Sequence, residues 1–268
     1  MIFSLHSSSK IAMQLSKILN EEICYVDLLM FKQREISIES CCCNENIFVL
    51  FPNTDDVNHD LVSFLLMSRG LQNIRAIMPY MPYSRQEKNN SFDMIVKILK
   101  LANLASIVTL DLHTELSMAL FDLPIVNIRS FDIFCEHFQK TYCHFDDVVI
   151  VAPDKGAIER ASAFAKTADA PLICIDKVSK TVHNAQAISG KRCVLVDDIV
   201  NTGRTMNLAV DMLCGFGAQS VDAYVTHFIQ PDIWPLALGN VYVANDISHD
   251  PRCVLVDWPN TLARCVRV

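Results

Sequence analysis

Short, β-branched apolar runs alternate with helical patterns along nearly all of this 268-residue chain, and that alternation restricts its fold more than any other feature. Strand-like runs occupy residues 2–5, 23–28, 47–51, 74–78, 107–110, 148–152, 172–175, 193–196, 221–225 and 241–244. Helical spacing recurs near residues 10–19, 58–69, 92–104, 131–139, 157–166, 205–214 and 233–238. Strands that read as continuous apolar runs are buried on both faces, so the expectation is α/β: mostly parallel sheets flanked by helices on both faces. One sheet holding all these strands would be very wide. Two domains of similar build are therefore expected, residues 1–132 and 133–268, meeting near residues 130–141. Hydrophobic residues make up 51% of the chain and charged residues 20%, enough for a large core and too apolar for disorder.

Charge narrows the function classes. With 23 basic and 30 acidic residues the net charge is −7, which argues against general nucleic-acid binding. No apolar run approaches the length of a bilayer span, so no membrane partner is expected. The start, MIFSLHSSSK, lacks the basic-then-apolar pattern of a leader. Eleven cysteines include the consecutive Cys41, Cys42 and Cys43 but no CxxC pair. Reduced, mostly buried thiols in a cytoplasmic protein fit best. An acidic protein that handles phosphates must attract them locally, through metal ions and a few placed basic side chains.

Of the seven glycines, Gly156 and Gly203 directly follow strand-terminal acids. Residues 193–206, CVLVDDIVNTGRTM, give an apolar strand, the acid pair Asp197 and Asp198, a small-residue turn, and a helical pattern from Met206 onward. That layout puts backbone N–H groups and hydroxyls at a helix N-terminus, where a phosphate is favoured. The adjacent carboxylates suit vicinal sugar hydroxyls or Mg²⁺. A sugar phosphate satisfies both halves, although an ordinary βα turn with an Asx cap has the same layout. Residues 108–120, VTLDLHTELSMAL, repeat the pattern in the first half. Further polar clusters follow other strands: MPYMPYSRQEK (78–88), DLH (111–113), APDKGAIER (152–160) and ICIDKVSK (173–180). Strand ends are where ligands gather in such sheets.

The order and content of these segments resemble the ribose-phosphate pyrophosphokinase family, the synthetases of phosphoribosyl pyrophosphate (PRPP). MPYMPYSRQEK is similar to that family's P-Y-x-x-Y-x-R-Q-D segment, residues 108–128 to its D-L-H segment, APDKGAIER to P-D-x-G-x-x-x-R, and VLVDDIVNTGRTM to its PRPP loop. The resemblance implies two phosphoribosyltransferase-like domains. It also implies transfer of the β,γ-diphosphoryl group of MgATP to the 1-hydroxyl of ribose 5-phosphate, giving PRPP and AMP. On this resemblance Lys177 is catalytic, and Phe31, Glu35, Arg85, Gln86 and His113 bind ATP. Asp197, Asp198, Asn201, Thr202, Gly203, Arg204 and Thr205 bind ribose 5-phosphate, and His113 and Asp154 serve the Mg²⁺ cofactor. Family members form homo-oligomers, dimers or hexamers, and Phe31 and Glu35 fall in a stretch that reaches the adenine of a neighbouring subunit. The sequence departs from the family at Asn201 (usually Asp), Arg204 (usually Gly), Gln33 (usually Asp) and Ser179 (usually Arg, with Lys180 nearest), and the segment after Lys177 is short. Those departures keep a second reading open, a nucleotide-binding regulatory subunit with little turnover. A PRPP-consuming transferase, supported by the loop alone, fits less well.

Overall fold

The computed structural model describes residues 1–32, 35–38, 47–52, 56–86, 91–113, 115–142, 147–179, 181–182, 185–229, 232–247, 250–256 and 258–266. Gln33, Cys41, Cys42, Cys43 and Lys180 lie outside them. Two compact units emerge: Met1–Ile128 with Trp258–Val268, and Arg129–Asp257.

In the first unit the strands are β1 (Ile2–Ser4), β2 (Ile23–Tyr25), β3 (Leu28–Met30), β4 (Ile36–Ile38), β5 (Phe48–Leu50), β6 (Ile74–Met78), β7 (Leu104–Leu110) and β8 (Ile125–Ile128). Its helices α1 (Ser9–Leu19), α2 (Val57–Ser68) and α3 (Ser91–Leu99) fall between strands. Six strands pair in the order β2-β1-β5-β6-β7-β8, all parallel, while β3 and β4 form a separate antiparallel hairpin. Phe3, Val49, Phe64, Ile74, Ala76 and Phe92 anchor the core.

The second unit runs α4 (Ser130–Thr141), β9 (Val148–Ala152), α5 (Ile158–Ala168), β10 (Leu172–Asp176), β11 (Thr181–Val182), β12 (Arg192–Val200), α6 (Arg204–Gly215), β13 (Ser220–Phe228), β14 (Leu238–Asp246) and β15 (Cys253–Leu255). Seven strands pair in the order β11-β10-β9-β12-β13-β14-β15, parallel except for the β10–β11 hairpin. Alternate side chains feed two cores. Cys193, Leu195, Val221, Ala223 and Val225 meet Met206, Val210 and Leu213 of α6. Tyr224 meets the rings of Phe134 and Phe138 on α4 and Phe164 on α5. Both faces are covered, as the apolar runs predict.

Three expectations change. The proposed boundary between residues 132 and 133 cuts α4, which belongs entirely to the second unit. The C-terminal helix α7 (Pro259–Val266) returns to the first unit and packs on α1. A helix expected at 233–238 is absent: Pro235 can donate no helical N–H, and the Ile233 N–H bonds to the Thr202 carbonyl at 3.3 Å instead. Among the described residues no helix is long and apolar enough to cross a membrane. The described cysteines are thiols, not disulfides: Cys135 and Cys193 are buried, Cys214 is exposed, and Cys24, Cys174, Cys253 and Cys265 lie between. Burial pushes the Cys135 thiol up to about 11 and the Cys193 thiol up to about 12, so both stay protonated and unreactive at neutral pH.

Candidate functional site

Chain direction creates a crevice in the second unit. From β9 the chain crosses to β10, on one side of β9; from β12 it crosses to β13, on the other side of β12. Connections that diverge between adjacent parallel strands leave an opening at their carboxyl ends, the usual ligand position in such sheets. Register deepens it. β9 pairs with β12 only as far as Leu195↔Val151, whereas β13 follows β12 to Val200↔Phe228. Asp197 and Asp198 therefore lie inside β12, not past its end, on a stretch that β9 no longer flanks.

The acids are close and shielded. The Asp198 N–H donates to Asp197 Oδ1 at 2.9 Å. Arg160 on α5 faces both carboxylates, with Nη2 3.2 Å from Asp198 Oδ2 and Nη1 3.9 Å from Asp197 Oδ1. Burial first, and the neighbouring Asp198 second, push the Asp197 carboxyl well above the ordinary carboxylate range, with the guanidinium offsetting only part of this. Such a pair favours an added cation or hydroxyl donors. Arg160 is not among the site residues the sequence singles out, although it ends the APDKGAIER segment, one helical turn beyond Gly156.

That segment begins with Asp154 just past β9. Its Oδ1 accepts the Gly156 N–H at 2.9 Å, and a Cβ on Gly156 would lie only 3.2 Å from the same oxygen. Lys177 donates to Asp154 Oδ2 at 2.7 Å. In the reverse sense, Lys155 lies 3.0 Å from Asp176 Oδ2. The two strand ends are thus stitched by crossed ion pairs. Asp176 also accepts the N–H groups of Val178 (2.9 Å) and Ser179 (3.2 Å), and with Lys155 these hold its pKa down at about 2. Asp176 pairs with Thr181 across β10 and β11, and the Ser179 and Thr181 hydroxyls lie 2.7 Å apart.

Beyond β12, Asn201 and Thr202 are exposed and Gly203 turns the chain at φ 76°, left-handed backbone that a side chain would strain. Arg204 opens α6, its N–H 3.5 Å from Thr202 Oγ1, and Thr205 sits in the first turn. The first N–H groups of a helix have no carbonyl within it, so this turn can receive an anion.

In the first unit, Arg85 and Gln86 are exposed in the turn after β6, where the Gln86 N–H bonds to the Tyr83 carbonyl at 2.8 Å. His113 is exposed just past β7. The Leu110 N–H reaches the Pro79 carbonyl at 3.2 Å, so both segments leave the same end of neighbouring strands. The Leu112 N–H bonds to Asn127 Oδ1 at 2.9 Å and fixes the residue before His113. Phe31 directly follows β3 and Glu35 directly precedes β4, joined by a 2.8 Å bond from the Phe31 N–H to the Glu35 carbonyl, with Phe31 57% exposed.

Among the described residues no three His, Cys, Asp or Glu side chains are grouped to hold a metal. Mg²⁺ needs no such cage. It keeps most of its waters and takes one or two carboxylates plus substrate phosphates. Asp154 and the Asp197–Asp198 pair are hard oxygen donors of that kind, and the raised Asp197 carboxyl marks a place where a cation would relieve repulsion. The residues fit the ion.

Comparison with known proteins gives the family. Residues 1–106 match the N-terminal domain of ribose phosphate pyrophosphokinase, and residues 120–232 match the phosphoribosyl transferase domain. A ribose-phosphate pyrophosphokinase of Mesorhizobium japonicum is 31% identical over 245 residues, covering 84% of this chain and 79% of that protein. One of Bacillus caldolyticus is 29% identical over 245 residues, covering 84% and 77%. The crystal structure of phosphoribosylpyrophosphate synthetase from Mycobacterium smegmatis superposes with a TM-score of 0.88 at 27% identity, covering 100% of this chain and 97% of that one. The chain belongs to the ribose-phosphate pyrophosphokinase family.

Proposed function

We propose that this enzyme transfers the β,γ-diphosphoryl group of ATP to the 1-hydroxyl of ribose 5-phosphate, and that the second unit holds the sugar phosphate. The observation that carries the assignment is the paired, shielded carboxylates of Asp197 and Asp198, directly followed by the left-handed Gly203 turn into α6. Carboxylates accept hydrogen bonds from vicinal 2- and 3-hydroxyls, and the N–H groups and hydroxyls of residues 201–205 receive the 5-phosphate. Arg204 adds a cation there. Arg85 and Gln86 bind the nucleotide, with the planar guanidinium suited to phosphate or a base face. His113 serves the nucleotide's phosphates or their metal, and Phe31 and Glu35 contact adenine.

Asp154 would hold Mg²⁺, which supplies charge neutralisation across the polyphosphate when bound. Lys177 waits on Asp154 and can exchange that carboxylate for the transferring phosphoryl oxygens. Such transfers depend on positioning and charge stabilisation more than on covalent chemistry by the protein. The bond that forms joins the ribose O1 to the β-phosphorus; the bond that breaks leaves AMP with the bridging oxygen, and the hydroxyl proton is released.

Homo-oligomerisation, as dimer or hexamer, is part of this reading, supported by the exposed Leu29, Met30 and Phe31 at the β3–β4 hairpin. Work in the cytoplasm is another, supported by the buried, protonated thiols of Cys135 and Cys193. Ser179, standing where the family usually has Arg and held 2.7 Å from the Thr181 hydroxyl, favours one alternative, a regulatory subunit that binds nucleotide without turnover. Purified protein given MgATP should form AMP and PRPP only when ribose 5-phosphate is added; well-folded protein that forms no PRPP would leave only the regulatory alternative.

Gly203→Ala tests the phosphate turn. A side chain at φ 76° costs roughly 1–2 kcal/mol, so Tm should fall by several degrees. Pressed out of its turn, the loop should bind ribose 5-phosphate about tenfold more weakly. Unchanged KM for the sugar phosphate would contradict the assignment of this turn.

A further inference from the structure

We infer that Trp234, clasped by Arg252, is a positioning residue for the ribose 5-phosphate loop, an inference that rests on the proposed function above. The stretch expected to be a helix is instead an irregular segment running beside that loop. The Ile233 N–H donates to the Thr202 carbonyl at 3.3 Å, a direct backbone tie to the residue before Gly203. Upstream, the Ile229 N–H donates to the Val200 carbonyl at 2.9 Å. The loop is therefore tied at its entry to Ile229 and at its turn to Ile233.

Trp234 holds the neighbouring Ile233 in place. Its ring meets Phe228 edge-on at 5.7 Å, and Arg252, just before β15, lies 3.9 Å over its face. That distance is well inside the range for a cation on an aromatic face, and tryptophan is the strongest such partner. Arg252 does not swing freely. Its Nε donates to Asp250 Oδ1 at 2.8 Å and its Nη2 to Asp250 Oδ2 at 2.5 Å, while its backbone N–H also reaches Oδ1 at 2.9 Å. The fork fixes the guanidinium plane that covers the indole.

The loop has need of such a brace. Asn201 and Thr202 are exposed, and glycine at φ 76° gives the turn little stiffness of its own. A small apolar gap lined by Val200, Gly203, Met206, Phe228 and Trp234 lies under the turn. Gly203 can sink into it unless the indole stays in place. Neither Trp234 nor Arg252 supplies the contacts assigned to the sugar or the nucleotide, so the effect passes through the Thr202 carbonyl and the Gly203 turn.

The test compares wild type with Trp234→Ala, Trp234→Phe and Arg252→Ala. Trp234→Ala should raise KM for ribose 5-phosphate about tenfold, equivalent to ~1.4 kcal/mol of lost positioning, and leave KM for ATP nearly unchanged. Arg252→Ala should move the same constant in the same direction by a smaller factor, and Trp234→Phe should restore most of it. Ribose 5-phosphate added to wild type without ATP should change the tryptophan emission, and that change should vanish in Trp234→Phe, which retains only Trp258. If Trp234→Ala does not fold, Arg252→Ala and the emission difference decide. Equal shifts in both KM values, an unchanged KM for the sugar phosphate in the folded variants, or an emission change that survives in Trp234→Phe would each overturn the brace. Wild type that never saturates with ribose 5-phosphate overturns the proposed function, and the brace with it.

Discussion

Lys177→Ala should lower kcat by about 10²–10³-fold, the usual loss when one donor to developing charge is removed. The fold should survive it. The Lys177 ammonium lies 2.7 Å from Asp154 Oδ2 with its side chain 49% exposed, and a half-exposed ion pair contributes little to stability. ATP affinity should change far less than turnover, because Lys177 acts on charge that grows as the phosphoryl group moves. Turnover by the variant close to wild type would remove Lys177 from the chemistry. A large loss of ATP binding with kcat unchanged would make it a binding residue instead.

Asp197→Asn should stabilise the protein and weaken catalysis together. The folded-state pKa of Asp197 is raised, by burial and by Asp198, above the ordinary value of 3.8. Over the window just above 3.8 the unfolded chain gives up its proton first, so stability from this group falls as pH rises, and the full cost remains above the folded pKa. Asparagine carries no such cost. The Tm gain should therefore be larger at neutral pH than near pH 4, and Mg²⁺ should narrow it by stabilising wild type more than the variant. At the same time kcat/KM for ribose 5-phosphate should fall by about 10–100-fold, the expected loss when a charged hydrogen-bond acceptor is neutralised. A variant less stable at neutral pH would mean that Asp197 is held ionised by its neighbours; full activity would mean that the sugar does not depend on it.

What the sequence shows and what it hides follow from the physics of each element. Parallel strands buried on both faces leave uniform apolar runs, which is why β6 and β9 are legible to the residue at 74–78 and 148–152. β4 and β15 are three-residue strands at exposed edges, with too few apolar positions to stand out. The Gly203 turn is legible because acids, hydroxyls and glycine stand together. The placement of Asp197 and Asp198 inside β12 is not, because it depends on β13 pairing onward to Phe228. Residues 233–238 carry helical spacing, but Pro235 and the Thr202 carbonyl claim that backbone for another use. Arg160 is hidden for a different reason. An arginine on a helix reads as a solvated charge until the fold brings it within 3.2 Å of Asp198. The return of α7 to α1 rests on contacts between the two ends of the chain, which no local pattern records.

Following the γ-phosphate tests the central claim most directly. Purified protein given Mg²⁺, ribose 5-phosphate and ATP labelled at the γ-phosphate should place the label in PRPP, with one unlabelled AMP formed for each PRPP. Label recovered in ribose 1,5-bisphosphate or inorganic phosphate, with ADP as the partner product, would contradict diphosphoryl transfer and the roles assigned around Asp197, Asp198 and Gly203.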